Sequence, residues 1–250
     1  MPAGREPRTA RRCGASALRA GFAAAPPAND DNERQPMKLY SYFRSSAAYR
    51  VRIALNLKQL PFEYVPVHLV RDGGQQLQDT YRALSPDALV PTLIDDDATL
   101  QQSLAIIEYL EETHPEPPLL PKAPADRAYV RAIALQIACE IHPLNNLRVL
   151  KYLKHMLQVP EEAKNDWYRH WIESGFASLE TRLASDPRVG RLCFGDTPTL
   201  ADICLVPQVF NAHRFSIDTQ CYPTIQRIFD HATSLDAFKA AAPAVQPDAE

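Results

Sequence analysis

Between residues 37 and 113 the apolar pattern switches repeatedly between strand-like and helix-like spacing, and this alternation constrains the fold more than any other feature. "KLYSYF" predicts a strand over 38–43. Ala47, Ala48, Val51, Ala54 and Leu55 then recur at helical spacing. "FEYVPVHL" over 62–69 returns to strand character, and Pro66, which has no N–H to give a ladder, assigns it to a sheet edge. "DGG" at 72–74 is a turn, and "QQLQDTYRAL" predicts a short helix over 75–84. "VPTLIDDDATLQQS" reads as two strands, Thr92–Ile94 and Thr99–Gln101, joined by an acidic turn. Ser103 is placed to cap the helix "LAIIEYLEETH". Alternation that ends in a hairpin implies a mixed sheet with helices on both faces.

The pattern then changes. "HPEPPLLPKAPAD" is a Pro-rich linker, and beyond it strand signals are nearly absent. Val130, Ile133, Ala134, Ile137, Ala138 and Ile141 form one apolar helix face, which Pro143 should kink or break near Cys139. "DWYRHWIESGFASLETRLA" is a second amphipathic helix. "TPTLADICLVPQVF" opens a third, with Thr199 and Asp202 as a capping box and Pro198 and Ile203 as a staple. The expected organisation is an N-terminal extension over 1–36, an α/β domain over 37–114, a linker over 115–125 and an all-helical domain over 126–250.

Composition narrows the function. The chain has 250 residues and a net charge of -3, which gives no support for a nucleic acid or a membrane surface as partner. No apolar run approaches the roughly 20 residues of a membrane helix. Cysteines at 13, 139, 193, 204 and 221 form no C-x-x-C pair and suit neither a disulfide framework nor a zinc site, so a reducing compartment and no metal are expected. Cys139, Cys193 and Cys204 read as small core residues. Residues 1–36 are rich in Arg, Ala and Pro without periodicity. They read as an unfolded extension from an upstream start, with a transit peptide as the alternative.

"RSSAAYRVRIAL" raises the chemical question. Small polar residues where a strand pattern yields to a helix pattern commonly cap the helix. The segment also resembles the signature of zeta-class glutathione transferases, a Ser-Ser-Cys run followed by an aromatic and Arg-Val-Arg-Ile-Ala-Leu. "DGGQQ", "VPTL", "QSLAIIEYLEE", "IHPLNN" and "GDTPTLADICLVPQV" match that class in order, so the likeness runs from Met37 to about Asp248. It implies the glutathione transferase fold: α/β plus all-α, with a thioredoxin-like N-terminal domain on a mixed four-stranded sheet and an all-helical C-terminal domain. The family cysteine is Ala47 here and the usual Trp is Tyr49, which excludes a mechanism requiring a protein thiol at that position.

By this resemblance Ser45 is the catalytic residue, donating a hydrogen bond to the thiolate of glutathione, the implied cofactor. Ser46 and Tyr42 are local alternatives. A helix N-terminus has free N–H groups and a positive dipole end, which favours an anion there. Ser46, Gln76, Val90, Pro91, Gln102, Ser103, His142 and Asn146 are the implied glutathione-binding residues. Val90–Pro91 is expected to be cis, and Gln102 and Ser103 to take the γ-glutamyl carboxylate. A simple cap is the alternative for Ser103, and a lone His beside an apolar face is commonly structural. Arg44, Arg148 and Arg214 are candidates for substrate carboxylates because guanidinium forks bind them bidentately. Taken alone, each is more often a solvated charge. The implied activity is glutathione-dependent cis–trans isomerisation of maleylacetoacetate in tyrosine and phenylalanine catabolism, by a cytoplasmic homodimer. Maleylpyruvate isomerisation, and general transferase or α-halo acid dehalogenase activity, are the alternatives.

Overall fold

The computed structural model describes residues 36–250. Cys13 and the expected N-terminal extension, apart from Pro36, lie outside the described residues. Four strands form one sheet in the order β2-β1-β3-β4: β1 (Met37–Ser41), β2 (Phe62–Pro66), β3 (Thr92–Asp95) and β4 (Ala98–Gln101). β1 runs parallel to β2 and antiparallel to β3, and β3 pairs antiparallel with β4. The sheet is mixed, and β2, which ends on Pro66, lies at its edge.

Alternation along β1 sends its side chains to two faces. Leu39 and Leu93 are fully buried with Ile53 of α1 (Ser46–Leu57) and Ile106 of α3 (Ser103–Thr113). On the opposite face Tyr40 meets Tyr81 of α2 (Asp79–Arg82), with ring centroids 6.0 Å apart. Helices therefore cover both faces. Two expected strands are shorter than their apolar runs. β1 stops at Ser41 because the Ser45 N–H bonds back to the Tyr42 carbonyl at 2.9 Å, turning the chain. β2 stops at Pro66. The single helix expected over 75–84 is broken: a 3-10 turn over Gln75–Leu77 precedes α2, with Gln78 extended between them (φ -71°, ψ 145°).

After Thr113 the chain is pinned by a buried ion pair. Lys58 Nζ meets Glu111 Oε2 at 2.9 Å and also donates to the carbonyls of His114 and Pro117. Glu111 in turn accepts from the N–H groups of Leu119 and Leu120. A buried pair is stable only when such extra bonds satisfy both partners. The helices that follow are α4 (Pro124–Leu135), α5 (Leu147–His155), α6 (Glu161–Ser185), α7 (Leu200–Arg214), α8 (Pro223–Ser234) and α9 (Asp236–Ala241).

α4 runs into a π-helical turn, Gln136–Ile141, then a 3-10 turn, His142–Asn145. Pro143 accounts for this, because it has no N–H with which to continue the α ladder. Val130, Ile133, Ala134, Ile137 and Ile141 are buried as their spacing implies. Cys139 is not: it is exposed, because a residue midway between Ile137 and Ile141 points away from the face they share. Cys193 and Cys204 are buried. The α7 capping box is present, with Asp202 accepting from the N–H and hydroxyl of Thr199 at 2.8 and 2.9 Å. α7 is buried along most of its length and joins α1, α3, α4 and α6 in one continuous core. No helix among the described residues is long and apolar enough to cross a membrane.

Candidate functional site

The turn from β1 into α1 is held from behind. Arg52 of α1 is fully buried and donates to Ser41 Oγ (3.1 Å) and to the carbonyls of Tyr42 (3.4 Å), Phe43 (2.9 Å) and Ala241 (3.0 Å). It ties the turn to the end of α9. Ser45 is the N-cap of α1, and its Oγ accepts from the Ala48 N–H at 3.2 Å. A capping hydroxyl uses its oxygen on the helix and keeps its proton for an outside partner. The cap and the donor roles are therefore compatible in one side chain. Ser46 is buried, and its Oγ accepts from Asn211 of α7 at 2.6 Å. Arg44 lies on Tyr42, donating to its hydroxyl at 3.1 and 2.8 Å, and also stands 3.6 Å from Glu250.

A second group gathers where β3 and α3 begin. The Val90–Pro91 bond is cis. Gln102, the residue before α3, holds φ +68° and makes no side-chain capping bond. A non-glycine residue there carries backbone strain of about 1–3 kcal/mol, a feature that concentrates at binding sites. Ser103 is buried at the first position of α3. Gln76 is buried with its Oε1 lacking a hydrogen-bond partner.

The helical half supplies the rest. Asn146 caps α5 by accepting from the Arg148 N–H at 3.1 Å, and Arg148 itself is exposed. Burial, then the Arg50 charge, push the His142 imidazole down to about 3, so the ring is neutral near pH 7. Arg214 ends α7. Desolvation lowers its guanidinium from the ordinary arginine value, with Arg44 acting in the same sense and Tyr168 in the opposite one.

These groups converge on two adjoining cavities. The larger, about 430 Å³, is lined by Arg44, Ser45, Ser46 and Gln76 from the first half and by His142, Asn146, Arg148 and Arg214 from the second. The smaller, about 200 Å³, is lined by Pro91, Gln102 and Ser103. Val90, His142, Asn146 and Arg148 line both. Every residue that the sequence offered for the site thus lines one lobe or the other. Ala47, which stands where the family has cysteine, also borders both lobes and offers no nucleophile. Sequence reasoning missed Tyr168 and Asn211 in the larger lobe and Arg50 and Cys139 in the smaller. Arg50 belongs to the quoted signature, so its spacing from Ser45 was available. Tyr168 and Asn211 lie on helices read for an apolar face and a capping box, and Cys139 was read as a small core residue.

Comparison with known proteins gives the family. The model for "Glutathione S-transferase, N-terminal domain" matches residues 39–118, and that for "Glutathione S-transferase, C-terminal domain" matches 165–245. The chain belongs to the glutathione transferases. This transferase is 54% identical over 211 residues to a probable maleylacetoacetate isomerase of Vibrio cholerae, covering 84% of this chain and 97% of that one. A holo structure of a bacterial maleylpyruvate isomerase of the zeta class superposes with a TM-score of 0.83 at 49% identity, covering 85% of this chain and all of that one (100%). A maleylacetoacetate isomerase from Methylobacterium extorquens AM1, solved with malonate and glutathione, gives 0.82 at 42% identity and covers 85% and 99%. The transferase is of the zeta class by both signature and likeness.

Proposed function

We propose that this transferase is a glutathione-dependent maleylacetoacetate isomerase. The observation that carries this reading is the Ser45 hydroxyl, proton free, at the α1 N-terminus beside a cavity walled by Arg44, Arg148 and Arg214. Glutathione fits the donor set. The smaller lobe has a helix N-terminus and Ser103 for an anionic end, and Gln76 presents an unpaired acceptor for an N–H. When bound, glutathione supplies a thiolate that adds reversibly to the cis double bond of the substrate. The role of Ser45 is to donate to that sulfur, with the α1 dipole adding to the stabilisation of negative charge. The arginines hold the carboxylate of the maleyl acid and the negative charge that develops on its carbonyl oxygens. His142 gives the wall a polar group without adding positive charge. Since residue 47 is Ala, the protein brings no thiol of its own to that position.

The same reading assigns residues 37–114 to glutathione, 126–250 to the substrate and 115–125 to the linker between them. A cytoplasmic homodimer belongs to the same reading, and the relatives named as maleylacetoacetate isomerases support a role in tyrosine and phenylalanine catabolism. The zeta-class neighbour named for maleylpyruvate supports that acid as the second substrate to try. The test follows both maleyl acids with a catalytic amount of glutathione, measuring trans product and free thiol. Turnover with constant thiol supports isomerisation. Thiol loss matching product formation would instead indicate a conjugating transferase, and no turnover of either acid would overturn the reading.

A further inference from the structure

Two arginines two residues apart in α1 are both buried, and only one is satisfied. Arg52 reaches four oxygens. Arg50 is 2% exposed and makes one hydrogen bond, from Nη1 to Ser103 Oγ at 3.3 Å. Its Nε and Nη2 are buried without a partner. None of the ion pairs among the described residues includes it. A buried guanidinium without a counter-charge is unfavourable, and desolvation accordingly lowers its proton affinity. Arg50 lines the smaller lobe, where Ser103 begins the eleven-residue helix α3 and Gln102 gives that helix no side-chain cap. The lobe also carries Asp87, an exposed carboxylate that makes no hydrogen bond with Arg50.

We propose that Arg50 is a positioning residue for the carboxylate that the smaller lobe takes, acting through Ser103. Accepting from Arg50 fixes the Ser103 oxygen and leaves its proton to point outward at the ligand. The open N–H groups of the α3 first turn converge on the same place. The buried charge supplies the field that an exposed lysine would lose to solvent screening. The bound carboxylate in turn supplies the counter-charge that Arg50 lacks. On the reading of the site as glutathione-binding, on which this inference rests, the carboxylate is the one on the γ-glutamyl end.

The experiment titrates full-length protein with glutathione and with γ-aminobutyryl-cysteinylglycine, the same peptide lacking that carboxylate. The wild type should bind glutathione at least about tenfold more tightly, the scale of a hydrogen bond to a charged group. Arg50→Met should lose most of this preference while binding the analogue as the wild type does, and Arg50→Lys should restore part of it. Ser103→Ala, which leaves the buried arginine in place, should lose the preference from the other side of the relay and keeps the test available if Arg50→Met does not fold. An unchanged preference in a folded Arg50→Met or in Ser103→Ala would overturn the inference alone. Equal losses for both peptides would also overturn it, leaving Arg50 a purely structural residue. A wild-type protein that binds neither peptide would overturn this inference and the glutathione reading together.

Discussion

Asn211 donates a 2.6 Å hydrogen bond to Ser46 Oγ, joining α7 to α1. Two adjacent serines therefore face different tasks. Ser45 caps α1 beside the larger cavity, and Ser46 fastens the helical half to the helix that carries the cap. Ser46→Ala leaves the buried Asn211 amide short of a partner, which costs about 1–3 kcal/mol. Urea unfolding of the variant should show that loss, with the thiolate titration of bound glutathione unchanged. A shifted titration would give Ser46 a direct role.

Ser45→Ala should act on the thiol. A free thiol has a pKa near 8.5, and bringing it to about 6.5 needs roughly 2.7 kcal/mol. A hydrogen bond to a charged group supplies about 1.5–3 kcal/mol of this and a helix N-terminus about 0.3–1. Losing the hydroxyl should raise the bound thiol by roughly 1–2 units, read by thiolate ultraviolet absorbance against pH. The rate near neutral pH should fall and recover in part toward pH 9. Loss of the α1 cap should add about 0.5–2 kcal/mol of destabilisation.

Arg148→Ala and Arg214→Ala should each lower kcat/KM for the maleyl acid by about 1.5–3 kcal/mol, with little change in glutathione affinity. Steady-state kinetics beside a glutathione titration separates the two effects. A variant that isomerises at the wild-type rate would make its arginine a surface charge.

His142 should weaken the fold in acid. Its folded value is about 3, below the ordinary 6.5, so the unfolded chain binds the proton more readily. The stability linked to this ring is complete above about pH 6.5 and is lost as pH falls toward 3, at no more than about 1.4 kcal/mol per pH unit. His142→Gln should flatten that part of the stability–pH curve. Unfolding free energies measured from pH 7 to pH 4 check this, and an identical slope in the variant would exclude His142 as the source.

Elements whose signal is local were legible in the chain. The strand–helix alternation, the edge position of Pro66, the break before Pro143 and the Thr199–Asp202 box each depend on residues a few positions apart. Local pattern misled where a backbone bond elsewhere decided the outcome. Nothing in "KLYSYF" says that Tyr42 will accept from Ser45 and end the strand. Cys139 is a different case, because the spacing of Ile137 and Ile141 already turns it away from the apolar face.

The sequence by itself determined the family, through ordered motifs, and with it a list of residues that all reach the cavities. Its ranking of Ser45 above Ser46 came from the resemblance alone, because the bonds that distinguish the two span large separations. Ser45 and Ser46 are adjacent and chemically identical, and they differ because Asn211 comes from the other half of the fold. Arg50 and Arg52 sit in one run, "YRVRIAL", with the same charge, reach and helix. Only tertiary packing gave Arg52 the carbonyls of a turn and of Ala241, and left Arg50 in the wall of a cavity with one serine hydroxyl. Burial and hydrogen-bond satisfaction belong to the assembled surroundings of a side chain, and those surroundings come from strands and helices far apart in the sequence.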